Sequence, residues 1–309
     1  MTVADGRGRP TSESGRPRIV VITGGSSGIG LASAREFCRR GDRVVLAARD
    51  ASSLEAAARR CRPETDEPVG TVVCDVTDRD SVATMVEHVI AEHGQIDVVV
   101  HSATVMAYGE IEKLPAEVFE RVVDTAVKGT ANLARVVLAA FRERHRGTLV
   151  IVNSLLGSVS TPYMGAYVTA KWGQLGLART LQLETRDERD IHVCIVAPGG
   201  VNTPIYVQAA NVTGRRPRPP WPVLQPETLG RVVAGVADRP RRFVSIPAGP
   251  ANPLIVAGFR FVPWAYDLLV GPMLRLAGLQ RGPSEVTDGN VLSPRPQLDA
   301  EHGRWPRRD

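Results

Sequence analysis

Short β-branched apolar runs recur along the chain, alternating with longer stretches whose apolar residues fall three and four apart. The short runs are bounded by turn residues and predict buried parallel strands over 18–23, 43–48, 69–74, 96–101, 148–153, 191–197 and 242–246. The longer stretches predict helices over 31–40, 78–93, 116–144, 162–186 and 227–237. This alternation predicts an α/β fold, a Rossmann-type doubly wound parallel sheet with helices on both faces and right-handed crossovers. Ligands of such a sheet sit at the carboxyl ends of its strands.

The pattern also divides the chain. Residues 1–17 are polar and rich in Gly, Pro, Ser and Arg, with no apolar core, and read as a disordered arm. Residues 18–248 form the sheet domain, with an irregular stretch over 203–225 that reads as a lid. Residues 249–280 are apolar but broken by Arg260, Pro263, Asp267, Pro272 and Arg275, too short a run to span a bilayer. On a helix Val262, Tyr266, Leu269, Met273 and Leu276 share one face, so this is an amphipathic helical C-terminal extension, started or kinked by its prolines. Packing against the domain or a partner subunit is expected of it, with membrane-surface contact as the alternative. Residues 281–309 read as a flexible tail.

Composition narrows the class. Hydrophobic residues make up 43% of the 309, enough for a sizeable core. The net charge of +5 comes largely from arginines set among prolines, over 215–218, 239–242 and 304–308, with no interleaved aromatic face, which excludes a nucleic-acid role. Cys38, Cys61, Cys74 and Cys194 form no Cys-x-x-Cys pair and the histidines show no metal-ligand spacing, so the chain reads as a reduced, cytoplasmic protein without a metal.

The chemistry sits at the strand ends. Thr23-Gly24-Gly25-Ser26-Ser27-Gly28-Ile29-Gly30 joins the first strand to the first helix. Glycines there let the backbone approach a diphosphate, and the helix N-terminus offers free N–H groups. The second strand ends at Ala48-Arg49, where an acidic residue would accept from a ribose hydroxyl. A guanidinium suits a 2′-phosphate instead, so NADP(H) is expected over NAD(H). Asp75, followed by Val76, ends the third strand and can accept from an adenine amino group. Pro198-Gly199-Gly200-Val201-Asn202-Thr203 follows the sixth strand as a turn able to close over a nicotinamide. Tyr167 and Lys171 are four apart on one helix face, and Ser154 ends the preceding strand. An ammonium beside a phenol favours the phenolate, which would draw the tyrosine toward neutral pH, while Ser154 holds a carbonyl oxygen.

Together, Thr23-Gly24-x-x-x-Gly28-x-Gly30, Asp75, Ser154, Tyr167-x-x-x-Lys171 and Pro198-Gly199-x-x-x-Thr203 resemble the short-chain dehydrogenase/reductase family over about residues 18–245. The resemblance implies an NADP(H)-dependent oxidoreductase acting on CH-OH groups, with Tyr167 as general acid/base and Lys171 on the nicotinamide ribose. It implies Ser154 orienting the carbonyl and Thr203 near the carboxamide. It further implies a homodimer or homotetramer packed through two long helices. The apolar tail suggests a hydrophobic small-molecule substrate. There are two departures. His101-Ser102-Ala103-Thr104 stands where the family has Asn-Asn-Ala-Gly, so only Ala103 matches on the cofactor side. Ala126 stands where the family has its catalytic Asn, which leaves an NADP(H)-binding sensor or scaffold as the competing reading.

Overall fold

A computed structural model describes residues 16–246 and 251–305. Seven strands form the central sheet: β1 Ile19–Thr23, β2 Arg43–Ala48, β3 Gly70–Val73, β4 Val98–His101, β5 Gly147–Val152, β6 Ile191–Pro198 and β7 Phe243–Ile246. Their spatial order is β7-β6-β5-β4-β1-β2-β3, and every pair is parallel. The winding reverses between β1 and β4, which opens a crevice at the carboxyl ends of those strands.

The helices are α1 Gly28–Arg39, α2 Ala51–Cys61, α3 Arg79–His93, α4 Ala116–Val123, α5 Gly129–Glu143, α6 Gly165–Glu184, α7 Ile205–Gln208, α8 Pro226–Asp238, α9 Ala251–Phe261 and α10 Pro263–Ala277. Alternate residues of one strand feed two cores, because side chains leave a strand on opposite faces. Val20 and Ile22 pack with Leu31, Phe37, Leu54, Leu229 and Val233 of α1, α2 and α8. Ile19 and Val21 pack with Met85, Val86, Leu133, Phe141 and Leu181 of α3, α5 and α6. Strands buried on both faces explain the uninterrupted apolar runs in the sequence.

Two helical details differ from expectation. α2 lies where the hydrophobic pattern gives no element; it is started by Asp50, whose carboxylate accepts from the Ser53 N–H at 2.8 Å. The helix expected over 116–144 is α4 and α5 joined by a π-helical turn, Asp124–Lys128, which carries Ala126. Such widened turns free backbone groups from the regular ladder.

The C-terminal quarter holds the larger corrections. In the extension, the face shared by Val262, Leu269, Met273 and Leu276 is not sealed against the domain: these residues are 41%, 57%, 59% and 68% exposed. α10 is anchored elsewhere, through the Tyr266 hydroxyl donating to the Ser160 carbonyl at 2.6 Å and the Phe259 ring packed edge-on to Tyr266 and Trp172. The flexible tail expected over 281–309 is corrected for its described part. Leu279–Pro283 pairs antiparallel with Arg215–Pro217, Asn211 and Thr287 exchange two main-chain hydrogen bonds, and Val291 is fully buried. Polar, proline-rich composition suggested disorder there, but backbone pairing with the lid gives this segment its order. Most of the arm expected over 1–17 lies outside the described residues. No described helix is long and apolar enough to cross a membrane.

Candidate active site

A cavity of about 600 Å³ opens at the carboxyl ends of β1, β2, β4, β5 and β6. The glycine turn forms one wall. Gly24 has φ +70°, and a Cβ built on it would lie 2.6 Å from the Ala103 nitrogen, so only glycine lets the turn meet the end of β4. Gly28 also has a positive φ, +53°, and faces Thr203. Ser26, Ser27 and Ile29 line the cavity beside it, while Thr23 and Gly30 hold the turn from behind. The Thr23 hydroxyl is hydrogen-bonded to His101 Nδ1 at 2.8 Å, and Gly30 has no room for a Cβ against the Gly24 carbonyl.

Arg49 reaches the same cavity from the end of β2. Its guanidinium is half-buried and donates to the main-chain carbonyls of Asn290 and Val291, at 2.6 and 3.1 Å. Desolvation lowers its affinity for its proton, and the neighbouring Arg121 adds to that. Asp75 is already engaged. One carboxylate oxygen accepts from the Thr77 N–H at 3.0 Å and hydroxyl at 2.8 Å, and the other pairs with Arg121. An adenine amino group would have to share these lone pairs. Val76 is buried and lines the wall next to Ala103, and its carbonyl accepts from Asn132 at 3.1 Å.

The opposite wall carries the hydroxyl groups. Ser154 follows β5 as the cap of a short turn, its Oγ accepting from the Leu156 N–H at 3.1 Å. Tyr167 and Lys171 lie on one face of α6, with the Lys171 Nζ 5.7 Å from the centre of the Tyr167 ring. The expectation that this ammonium lowers the tyrosine pKa is corrected. Burial pushes the Tyr167 phenol up to about 12, opposed by the Ser154 hydroxyl, and burial pushes Lys171 down to about 7. The ammonium lies over the ring, so desolvation of each group outweighs their mutual effect.

Pro198 and Gly199 end β6 at the cavity, and the Gly199 N–H donates to the Ile246 carbonyl at 2.7 Å. Val201 is buried under the lid, where Leu224 pairs beside it, and Thr203 is buried facing the cavity.

Two groups of residues escaped sequence reasoning. One is a buried polar cluster behind Lys171: Asn153, Gln174 and Thr130. The signal for Gln174 was present, since it stands three residues after Lys171 on the same helix face. The second is residues 290–305, which cross the crevice as a strap. The Ala300 carbonyl accepts from the Gly28 N–H at 2.9 Å, Asp299 accepts from Gln208 Nε2 at 2.6 Å, Glu301 pairs with Arg35 at 2.7 Å, and Trp305 packs edge-on to Tyr206. Among the described residues no group of His, Cys, Asp and Glu could hold a metal ion, and all four cysteines are buried and free.

The family model described as short chain dehydrogenase matches residues 18–212. The chain belongs to this family. This short-chain dehydrogenase is similar to bovine dehydrogenase/reductase SDR family member 7B, 31% identical over 207 residues; the match covers 65% of this chain and 63% of that one, so the chain spans less than two thirds of that relative. Its fold superimposes on an alcohol dehydrogenase from the archaeon Thermococcus sibiricus complexed with 5-hydroxy-NADP, with a TM-score of 0.65 and 27% identity, covering 75% of this chain and 95% of the other. It also superimposes on a metagenomic short-chain oxidoreductase in complex with NADP, with a TM-score of 0.62 and 28% identity, covering 74% and 96%.

Proposed function

We propose that this short-chain dehydrogenase is an NADP(H)-dependent oxidoreductase that interconverts a carbonyl and an alcohol on a hydrophobic small molecule. The observation that supports this reading is that Ser154, Tyr167 and Lys171 line the same cavity as the glycine turn and Arg49. Three features fit a dinucleotide. The turn has room for a backbone approach and none for side chains. Arg49 is a half-buried cation whose hydrogen bonds go to neutral carbonyls, and an anionic phosphate would satisfy it better. The Thr104 hydroxyl, on the cavity wall, is buried without a partner. NADP complexes of two structural relatives point the same way.

The bound nicotinamide supplies the hydride. The chain's own residues handle the oxygen. Ser154 donates to the carbonyl and fixes its orientation. Tyr167, protonated throughout the neutral range, delivers its proton to the developing alkoxide, so the resting phenol suits reduction. Lys171 stands behind Tyr167 with a donor free for a ribose hydroxyl. Leu156, Met164, Tyr206, Leu269 and Met273 give the substrate end an apolar lining. A homodimer or homotetramer packed through α5 and α6 is part of the same proposal.

The strap and the dinucleotide claim the same donors, the Gly28 N–H and the Arg49 guanidinium. Binding therefore includes displacement of residues 290–301. This overlap, with Ala126 in place of an Asn, also favours the second reading, a sensor that holds NADP(H) with little turnover. A panel of hydrophobic ketones followed by NADPH absorbance, alongside direct titration with NADPH and NADH, separates the readings. Turnover supports the enzyme, tight NADPH binding without turnover supports the sensor, and failure to bind either dinucleotide overturns both. Arg49→Asp should weaken NADPH by about 1.5–3 kcal/mol, the worth of a charge-assisted hydrogen bond, and reverse or abolish the preference over NADH, whose ribose hydroxyl the carboxylate can accept from.

A further inference from the structure

Behind the site lies a polar cluster with no exposure to solvent. Gln174 is fully buried on α6. Its Oε1 accepts from the Lys171 Nζ at 3.0 Å and from Asn153 Nδ2 at 3.1 Å. Its Nε2 donates to the Thr130 Oγ1 at 3.0 Å and to the Ala126 carbonyl at 3.4 Å. The orientation of this amide is determined by its neighbours. Asn153 Nδ2 can only donate, as can the Lys171 ammonium, so both need the oxygen. The Thr130 hydroxyl spends its hydrogen on the Ala126 carbonyl at 2.6 Å, so its oxygen is left to accept from the nitrogen. A flipped amide would place like against like on both sides.

We propose that Gln174 is a positioning residue for Lys171, supplying from α6 the amide that Ala126 cannot supply from the π-helical turn. This rests on the reading of Lys171 as part of the active site. Lys171 has three N–H donors. One goes to the Val152 carbonyl at 3.1 Å and one to Gln174, which holds the ammonium and leaves the third for the cavity. Neither acceptor carries a charge, so the ammonium is anchored without being neutralised. The titratable groups facing it are Tyr167 on its own helix and His101 from β4. The close approach that makes the cluster possible comes from Gly173: a Cβ there would lie 2.8 Å from Val127, so glycine lets α6 press against the π-helical turn. The widened turn in exchange presents its Ala126 carbonyl to Gln174.

Lys113, Lys128 and Lys171 are the only lysines in the sequence, so the test can be read without turnover. The full chain is labelled with ¹³C-lysine and each resonance is titrated by NMR, with Lys171→Arg assigning the signal. Gln174→Glu should raise the Lys171 pKa by a unit or more, because a carboxylate stabilises the ammonium. Gln174→Leu should lower it, because one acceptor is lost. Thermal melting of both variants reports folding, and the conservative Gln174→Glu keeps the test alive should Gln174→Leu not fold. Where a ketone substrate is found, Gln174→Leu should lower kcat at least tenfold with little change in ketone KM and shift the kcat pH profile. A Lys171 titration unchanged in folded Gln174→Glu overturns the proposal, whether or not the wild-type protein turns over. Loss of turnover on Tyr167→Phe speaks only to the functional reading.

Discussion

The Gly28 N–H, at the start of α1, donates to the Ala300 carbonyl oxygen 2.9 Å away, more than 270 positions along the chain. A helix N-terminus carries free N–H groups and the positive end of the helix dipole, which is why glycine turns of this kind receive phosphates. Here the strap takes that place. Asp299 sits next to it; burial raises its carboxyl pKa, and the Ser53 and Ser26 hydroxyls and the Gln208 amide offset part of that rise. The C-terminal segment thus puts a carbonyl and a half-buried carboxyl where a nucleotide would put anionic oxygens.

A chain ending at Pro283 should therefore bind NADPH more tightly and faster. On the proposed reading the strap has to leave before the dinucleotide can use the Gly28 N–H and Arg49, and a binding-competent state that is only partly populated lowers apparent affinity by its fraction. The expected gain is at least about tenfold in Kd, measured by NADPH fluorescence, with some loss of melting temperature from the Arg35–Glu301 pair and buried Val291. Weaker binding by the shortened chain would mean that the strap closes over the cofactor and does not compete with it.

Tyr167→Phe removes one hydroxyl from a ring that stays packed in its core cluster. General acid–base catalysis is worth about 10²–10⁴-fold, so kcat should fall by that order. NADPH affinity should hardly change, since the proposed reading gives the ribose contact to Lys171. Equal ketone reduction by the variant and the parent protein would remove Tyr167 from the chemistry.

His101 sets a pH dependence of stability. It is buried at the end of β4, with Nδ1 on Thr23 and Nε2 without a partner, and desolvation holds its pKa at about 3. The unfolded chain protonates it near 6.5 while the folded chain does not until about 3. Its contribution is fully present above 6.5 and is lost as pH falls between these values, at about 1.4 kcal/mol per pH unit. Lys171, lowered to about 7, acts in the same sense between about 7 and 10.5: stability rises with pH as the unfolded chain alone stays protonated. Urea midpoints at pH 4, 5 and 6 should fall more gently for His101→Asn than for the parent chain. Parallel slopes would show that His101 is not the group responsible.

Ala126→Asn, which installs the residue that the family resemblance implies at this position, should gain nothing. Ala126 is buried beside Tyr167 and Ala170 in one cluster, and its carbonyl is already shared by Thr130 and Gln174. A second amide has no free partner there, and an unsatisfied buried polar group costs about 1–3 kcal/mol. Chemical denaturation should show that loss, with kcat no higher than before. A clear rise in kcat would show that the cluster around Gln174 does not replace the missing side chain.

By itself the sequence determined the sheet, its helices and the location of the chemistry. Those signals are local: a β-branched run such as Ile19–Thr23 fits a strand buried on both faces, a glycine turn needs its glycines, and Tyr167 and Lys171 share a face by helix geometry. Tertiary structure decided what depends on contacts between distant residues. The direction of the Tyr167 and Lys171 pKa shifts follows from burial, which spacing does not reveal. The partnership of Gln174 with Ala126 and Thr130 needs α6 pressed against a π-helical turn that no periodicity announces. The strap was hidden most completely. Its polar, proline-rich composition is that of a disordered tail, and its order comes from pairing with Asn211 and Arg215–Pro217 and from lying across the mouth of a crevice built by the other end of the chain.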